Sequence, residues 1–136
     1  MEKFVFLEHT ADIKFQAFGE GLEEALENSV LALKQAMYGK TKVKNSKTKI
    51  VNVKGKDYES MLYNFLEEII YFVDKGEFIV DKVKTIRVDG FKISAVLSGD
   101  KPQNYNFTNN IKAVTYNEMF VKKQQDKWVC QVVLDA

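Results

Sequence analysis

Few residues in this chain can do chemistry, and most of them are oxygen donors. There is one histidine and one cysteine in 136 residues. A histidine-rich zinc site normally needs three or four nitrogen or sulfur ligands, so His9 alone does not build one. Cys130 excludes an internal disulfide and any CxxC metal site. It shares a predicted strand face with Trp128 and Val132 and reads as a core thiol. No GxGxxG, Walker loop or GxSxG occurs. What is left is hard, anionic oxygen of the kind Ca²⁺ or Mg²⁺ prefers: Asp12, Asp135 and the C-terminal carboxylate of Ala136.

Short apolar runs must position these groups. Phe4–Leu7 reads as a strand, and the alternation of Ile13, Phe15 and Ala17 with Lys14 and Gln16 reads as a second, with one buried face. Asp12 therefore sits where a loop enters a strand, with the lone histidine close by in the same turn. An aspartate there serves equally as a turn residue bonded to nearby backbone N–H groups or as part of a cation or substrate site held on a rigid scaffold. Asp135 ends the last strand and leaves the sheet at an edge. If that strand neighbours the second, Asp12 and Asp135 meet at one end of the sheet. Carboxylates that close repel each other unless they share a proton or a cation. Lys112, at a strand start, could pair with an acid or a phosphate, or simply be solvated.

Composition narrows the partners. A hydrophobic fraction of 46% and a charged fraction of 29% are those of an ordinary soluble domain, and the length fits a single domain spanning 1–136 with a proper core. The formal net charge of +1 supplies no global field toward nucleic acid or anionic membrane. Arg87 is the sole arginine, which argues against an arginine-based reader of base edges or phosphates. The N-terminal apolar run is too short for a signal peptide and no run is long enough to cross a bilayer. A cytoplasmic protein is expected.

Leu22–Met37 and the stretch from Asp57 to about Asp74 carry apolar residues at helical spacing. Glu23 and Glu24 favour the first helix's N-terminus, and Asp57 is a natural N-cap for the second. Lys40–Lys56, with seven lysines and no acid, reads as a loop followed by a strand whose lysines discourage edge pairing, or as a phosphate- or acid-binding patch. From Phe78 onward the chain is strand-like: Phe78–Val88 and Phe91–Ser98 joined at Asp89-Gly90, a polar loop over 103–110, then Ile111–Lys123 and Lys127–Asp135 around Gln124-Gln125-Asp126. The order predicts an α+β fold, with two helices packed on a largely antiparallel β-sheet in a single domain.

Three stretches together resemble the archease family. They are His9-Thr10-Ala11-Asp12-Ile13 followed by a Gly-Glu-Gly-led helix, Ile111-Lys112-Ala113-Val114-Thr115-Tyr116, and the terminal Val133-Leu134-Asp135-Ala136. Three positions differ from the family pattern: Lys14 stands where glycine is usual, Asn110 where an acid is expected, and Asn117 where histidine commonly follows the TY pair. The resemblance implies a protein cofactor rather than an enzyme. Archeases assist the RtcB-type RNA ligase of tRNA splicing, promoting guanylylation of a ligase histidine and multiple turnover, and contact RNA only through the ligase. The resemblance also implies an acidic tip that binds a divalent cation such as Ca²⁺ through Asp12, Asp135 and a main-chain or terminal oxygen of Ala136. Three other readings stand beside it: a chaperone or specificity module for another RNA-processing enzyme such as a tRNA methyltransferase, a small metal-dependent hydrolase with His9 as base, and a direct RNA binder.

Overall fold

The hydrophobic periodicities become two helices and seven strands in the computed structural model, which describes residues 2–136. In chain order these are β1 (Phe4–Leu7), β2 (Ile13–Gly19), α1 (Leu22–Tyr38), β3 (Lys47–Lys54), α2 (Tyr58–Asp74), β4 (Ile79–Asp89), β5 (Lys92–Asp100), β6 (Ala113–Gln124) and β7 (Lys127–Asp135). Every ladder is antiparallel. The strands form two sheets where one was expected, ordered β1-β2-β7-β6 and β3-β5-β4. β5 spends both edges on β3 and β4, and β7 spends both on β2 and β6. The chain passes from one sheet to the other through residues 101–112, which include a 3₁₀ turn at Pro102–Asn104.

The helices join the sheets. α1 packs on β2 and β4, and α2 on β6 and β3, so each helix touches both sheets. Their buried stripes, Ala25, Leu26, Val30 and Leu33 on α1 and Met61, Leu62, Phe65 and Ile69 on α2, meet Phe15, Ala17, Cys130, Val132 and Leu134 from the long sheet. Burying one such large aliphatic or aromatic side chain is worth roughly 1.5–3 kcal/mol. The expected N-cap of α2 is present as a capping box. The Asp57 carboxylate accepts the Ser60 amide at 2.7 Å, while the Ser60 hydroxyl accepts the Asp57 amide at 3.2 Å.

Turn chemistry follows the glycines. Asp89 pairs with Lys92, so the β4–β5 turn is Gly90-Phe91, one residue later than expected, and Gly90 supplies φ 62°. β3 is an edge strand, and Lys49 pairs with Glu77 at 3.2 Å beside it. The lysine-rich segment thus guards an edge, as one of its two readings anticipated.

The β6–β7 ladder is not continuous. Its register slips between Thr115↔Val133 and Phe120↔Gln131, leaving three extra residues on β6. Within the slip Glu118 adopts φ 55°, the left-handed region that side-chain-bearing residues seldom enter. Tyr116, in the same stretch, stacks on Tyr63 of α2 with ring centroids 4.3 Å apart.

Candidate functional site

The β2–β7 ladder runs from Gly19↔Trp128 to Ile13↔Leu134. One step further out along the two neighbouring strands stand Asp12 and Asp135. The loop between β1 and β2 and the end of β7 therefore converge at one end of the long sheet. β7 is an interior strand, flanked by β2 and β6, which corrects the expectation that Asp135 leaves the sheet at an edge. Its main chain stays fastened: Asp135 pairs with Ala113, and its carbonyl accepts the Lys112 amide at 2.7 Å. That backbone bond is what Lys112 contributes here; its side chain is exposed and makes no ion pair among the described residues.

Asp12 and Asp135 are half-buried and Ala136 is exposed. Among the described residues neither aspartate side chain takes part in a hydrogen bond or an ion pair. The turn-residue alternative for Asp12, a carboxylate committed to nearby backbone N–H groups, is thus not what the fold adopts. Uncommitted hard oxygens on adjacent strands fit a hard cation in donor chemistry. No group of three or more His, Cys, Asp or Glu side chains is arranged to hold a metal among the described residues. A cation between these two acids would need a main-chain oxygen such as that of Ala136, and water, to complete its shell.

His9 does not turn to Asp12. Its Nε2 lies 2.9 Å from Glu118 Oε2, while Lys14 Nζ donates to Glu118 Oε1 at 3.0 Å. His9 and then Lys14 hold the Glu118 carboxyl below the usual carboxylate range by stabilising its charged form. Since β7 lies between β2 and β6, the Lys14–Glu118 bridge crosses over β7. The Gln131 side-chain amide donates to the Glu118 carbonyl at 2.7 Å, and Gln131 Oε1 accepts from Gln16 Nε2 at 2.8 Å. A continuous polar chain therefore ties the loop before β2 to the irregular part of β6. Sequence reasoning missed Glu118, which lies 109 residues from His9. The available signal was Lys14 itself, a cation at a position on the solvent-facing alternation that calls for a partner.

The fold is one already seen in solved structures. Over the full length of both chains it matches the solution structure of Methanobacterium thermoautotrophicum protein 1598 with a TM-score of 0.81 and 28% identity. It matches the crystal structure of a Thermotoga maritima archease over 96% of this chain and 94% of that one, with a TM-score of 0.64 and 20% identity. In sequence, the chain is 39% identical to protein archease of Methanosarcina acetivorans over 98% of its own length and 96% of the relative's. It is 37% identical to protein archease of Pyrococcus abyssi over 99% of both chains. The model of the archease protein family matches residues 4–136. The chain belongs to the archease family.

Among the described residues no helix is long and apolar enough to cross a membrane.

Proposed function

We propose that this protein is a non-catalytic activator of an RtcB-type RNA ligase, and that Asp12 and Asp135 form the acidic tip through which it acts. Family membership supports the cofactor role. The observation that supports the residue assignment is the Ile13↔Leu134 pair, since Asp12 and Asp135 each adjoin it at the same end of the long sheet. A divalent cation such as Ca²⁺, bound by Asp12, Asp135 and an oxygen of Ala136, would neutralise this pair of carboxylates. The chain's own residues hold the tip rigid: the β2–β7 ladder sets the spacing, and the Lys112 amide pins the Asp135 main chain.

Guanylyl transfer to a ligase histidine requires nucleotide, metal and nucleophile in line, and positioning of that kind can lower a barrier by several kcal/mol, roughly 7–11 at the upper end. A partner protein contributes only by preferring one ligase conformation over another. A second reading, a chaperone or specificity module for another RNA-processing enzyme such as a tRNA methyltransferase, takes its support from the Thermotoga maritima relative, described as a possible chaperone. There the lysine-rich 40–56 surface would make the contact. Single- and multiple-turnover ligation by the cognate ligase, with and without this protein, separates the two. Repeated turnover only in its presence is the expected result. Unchanged ligation, together with partner binding lost on combined Lys42, Lys44 and Lys47 substitution, would favour the second reading.

A further inference from the structure

We propose that Glu118 is the positioning residue for the acidic tip, gripping His9 and Lys14 on either side of Asp12 and so fixing the loop that presents it. The idea rests on the tip reading above for its functional meaning, but its geometry is independent. Asp12 is held by no side-chain bond of its own among the described residues. Its loop, residues 8–12, lies outside any ladder, between β1 and β2. Without an anchor such a segment samples many conformations, and ordering it costs roughly 1–2 kcal/mol per residue in backbone entropy. Glu118 supplies the anchor twice, with one carboxylate oxygen on each flank: Oε2 to His9, three residues before Asp12, and Oε1 to Lys14, two residues after it.

Two features indicate that Glu118 is placed for this purpose rather than paired by chance. The first is its backbone. A non-glycine residue at φ 55° inside a strand is maintained only where its surroundings over-determine it. Here the Gln131 amide grips the Glu118 carbonyl, and the three inserted residues lift the side chain so that it can reach across β7. The second is the burial of its two partners. The side chains of His9 and Lys14 are each only 16% exposed, against 46% for Glu118, so both lean inward onto the sheet. Lys14 supplies the second tie through its ammonium group, 3.0 Å from the Glu118 carboxylate.

Groups that orient a metal's ligands typically change affinity 10–100-fold when removed. The test compares wild type, Glu118→Ala and Asp12→Asn by backbone amide hydrogen exchange and by calorimetric titration with Ca²⁺ alone. Glu118→Ala should speed exchange across residues 9–13 while leaving the β7 amides protected, and should weaken Ca²⁺ binding about tenfold or more. Wild-type exchange over 9–13 in a folded Glu118→Ala protein overturns the proposal, whatever happens to Ca²⁺. If Asp12→Asn binds Ca²⁺ as wild type does, the metal reading of the tip fails by itself, and loop exchange alone decides the role of Glu118. Should Glu118→Ala unfold, Lys14→Gly serves in its place: it removes one of the two ties, and faster exchange at 9–13 is again expected, with unchanged exchange counting against the proposal.

Discussion

The carboxylate of Glu67 on α2 accepts a hydrogen bond from the backbone amide of Val114 on β6 at 2.9 Å. Two turns earlier on the same helix face, Glu59 does the same for the Val121 amide at 3.0 Å. β6 is the outermost strand of its sheet, so these amides have no neighbouring strand to bond. The helix that covers the edge also satisfies it, removing a template for unwanted strand addition. Glu67→Ala should leave a buried N–H unpaired and cost about 1–3 kcal/mol, read as a lower urea midpoint with unchanged m-value.

Gly99 sets a stricter limit. A methyl group there would fall on the Ile79 carbonyl oxygen and the Phe78 ring. Backbone at the contact cannot yield as a flexible side chain would. Gly99→Ala should lower stability by about 1–3 kcal/mol in thermal or urea unfolding, with Gly90→Ala, whose added carbon has open space but whose backbone is left-handed, as a comparison of pure conformational cost.

Acid stability should report on Asp100. Ser46, then Tyr105, donate to its carboxylate at 2.5 and 2.7 Å, and the Lys101 backbone and Asn104 add to them; together they hold it far below its ordinary value of 3.8. The folded state favours the charged form, so the contribution is complete above the unfolded value and fades as pH falls below it toward the depressed folded value. Asp100→Asn should therefore be less stable than wild type at pH 7, with the gap shrinking progressively below about pH 4. Urea midpoints across that range check it.

Cys130 should behave as core rather than as chemistry. It is fully buried, and desolvation pushes its thiol up to about 12. Thiolate is the reactive form, so native protein at pH 8 should resist a disulfide reagent and react stoichiometrically once unfolded in guanidinium.

Much of this fold could be read from residue order because local signals and packing agree. Asp57 caps α2, α1 and α2 follow their apolar stripes, and β7 has the expected bounds Lys127–Asp135. What could not be read was long-range. Whether seven strands close into one sheet or two depends on which edges β5 and β7 fill, and alternation along a strand is blind to that. The juxtaposition of Asp12 with Asp135 depends on the same unseen pairing. Glu118 was hidden for a further reason: its left-handed backbone breaks the alternation of β6 just where its side chain finds His9 and Lys14.

Stimulation of ligase guanylylation by the tip variants tests the central claim most directly. The measurement is the rate at which the cognate RtcB-type ligase becomes guanylylated with wild type, Asp12→Asn or Asp135→Asn, each variant first shown to be folded by amide exchange of β7. The account expects stimulation with wild type and near-basal rates with either variant. Wild-type stimulation by both folded variants would contradict it.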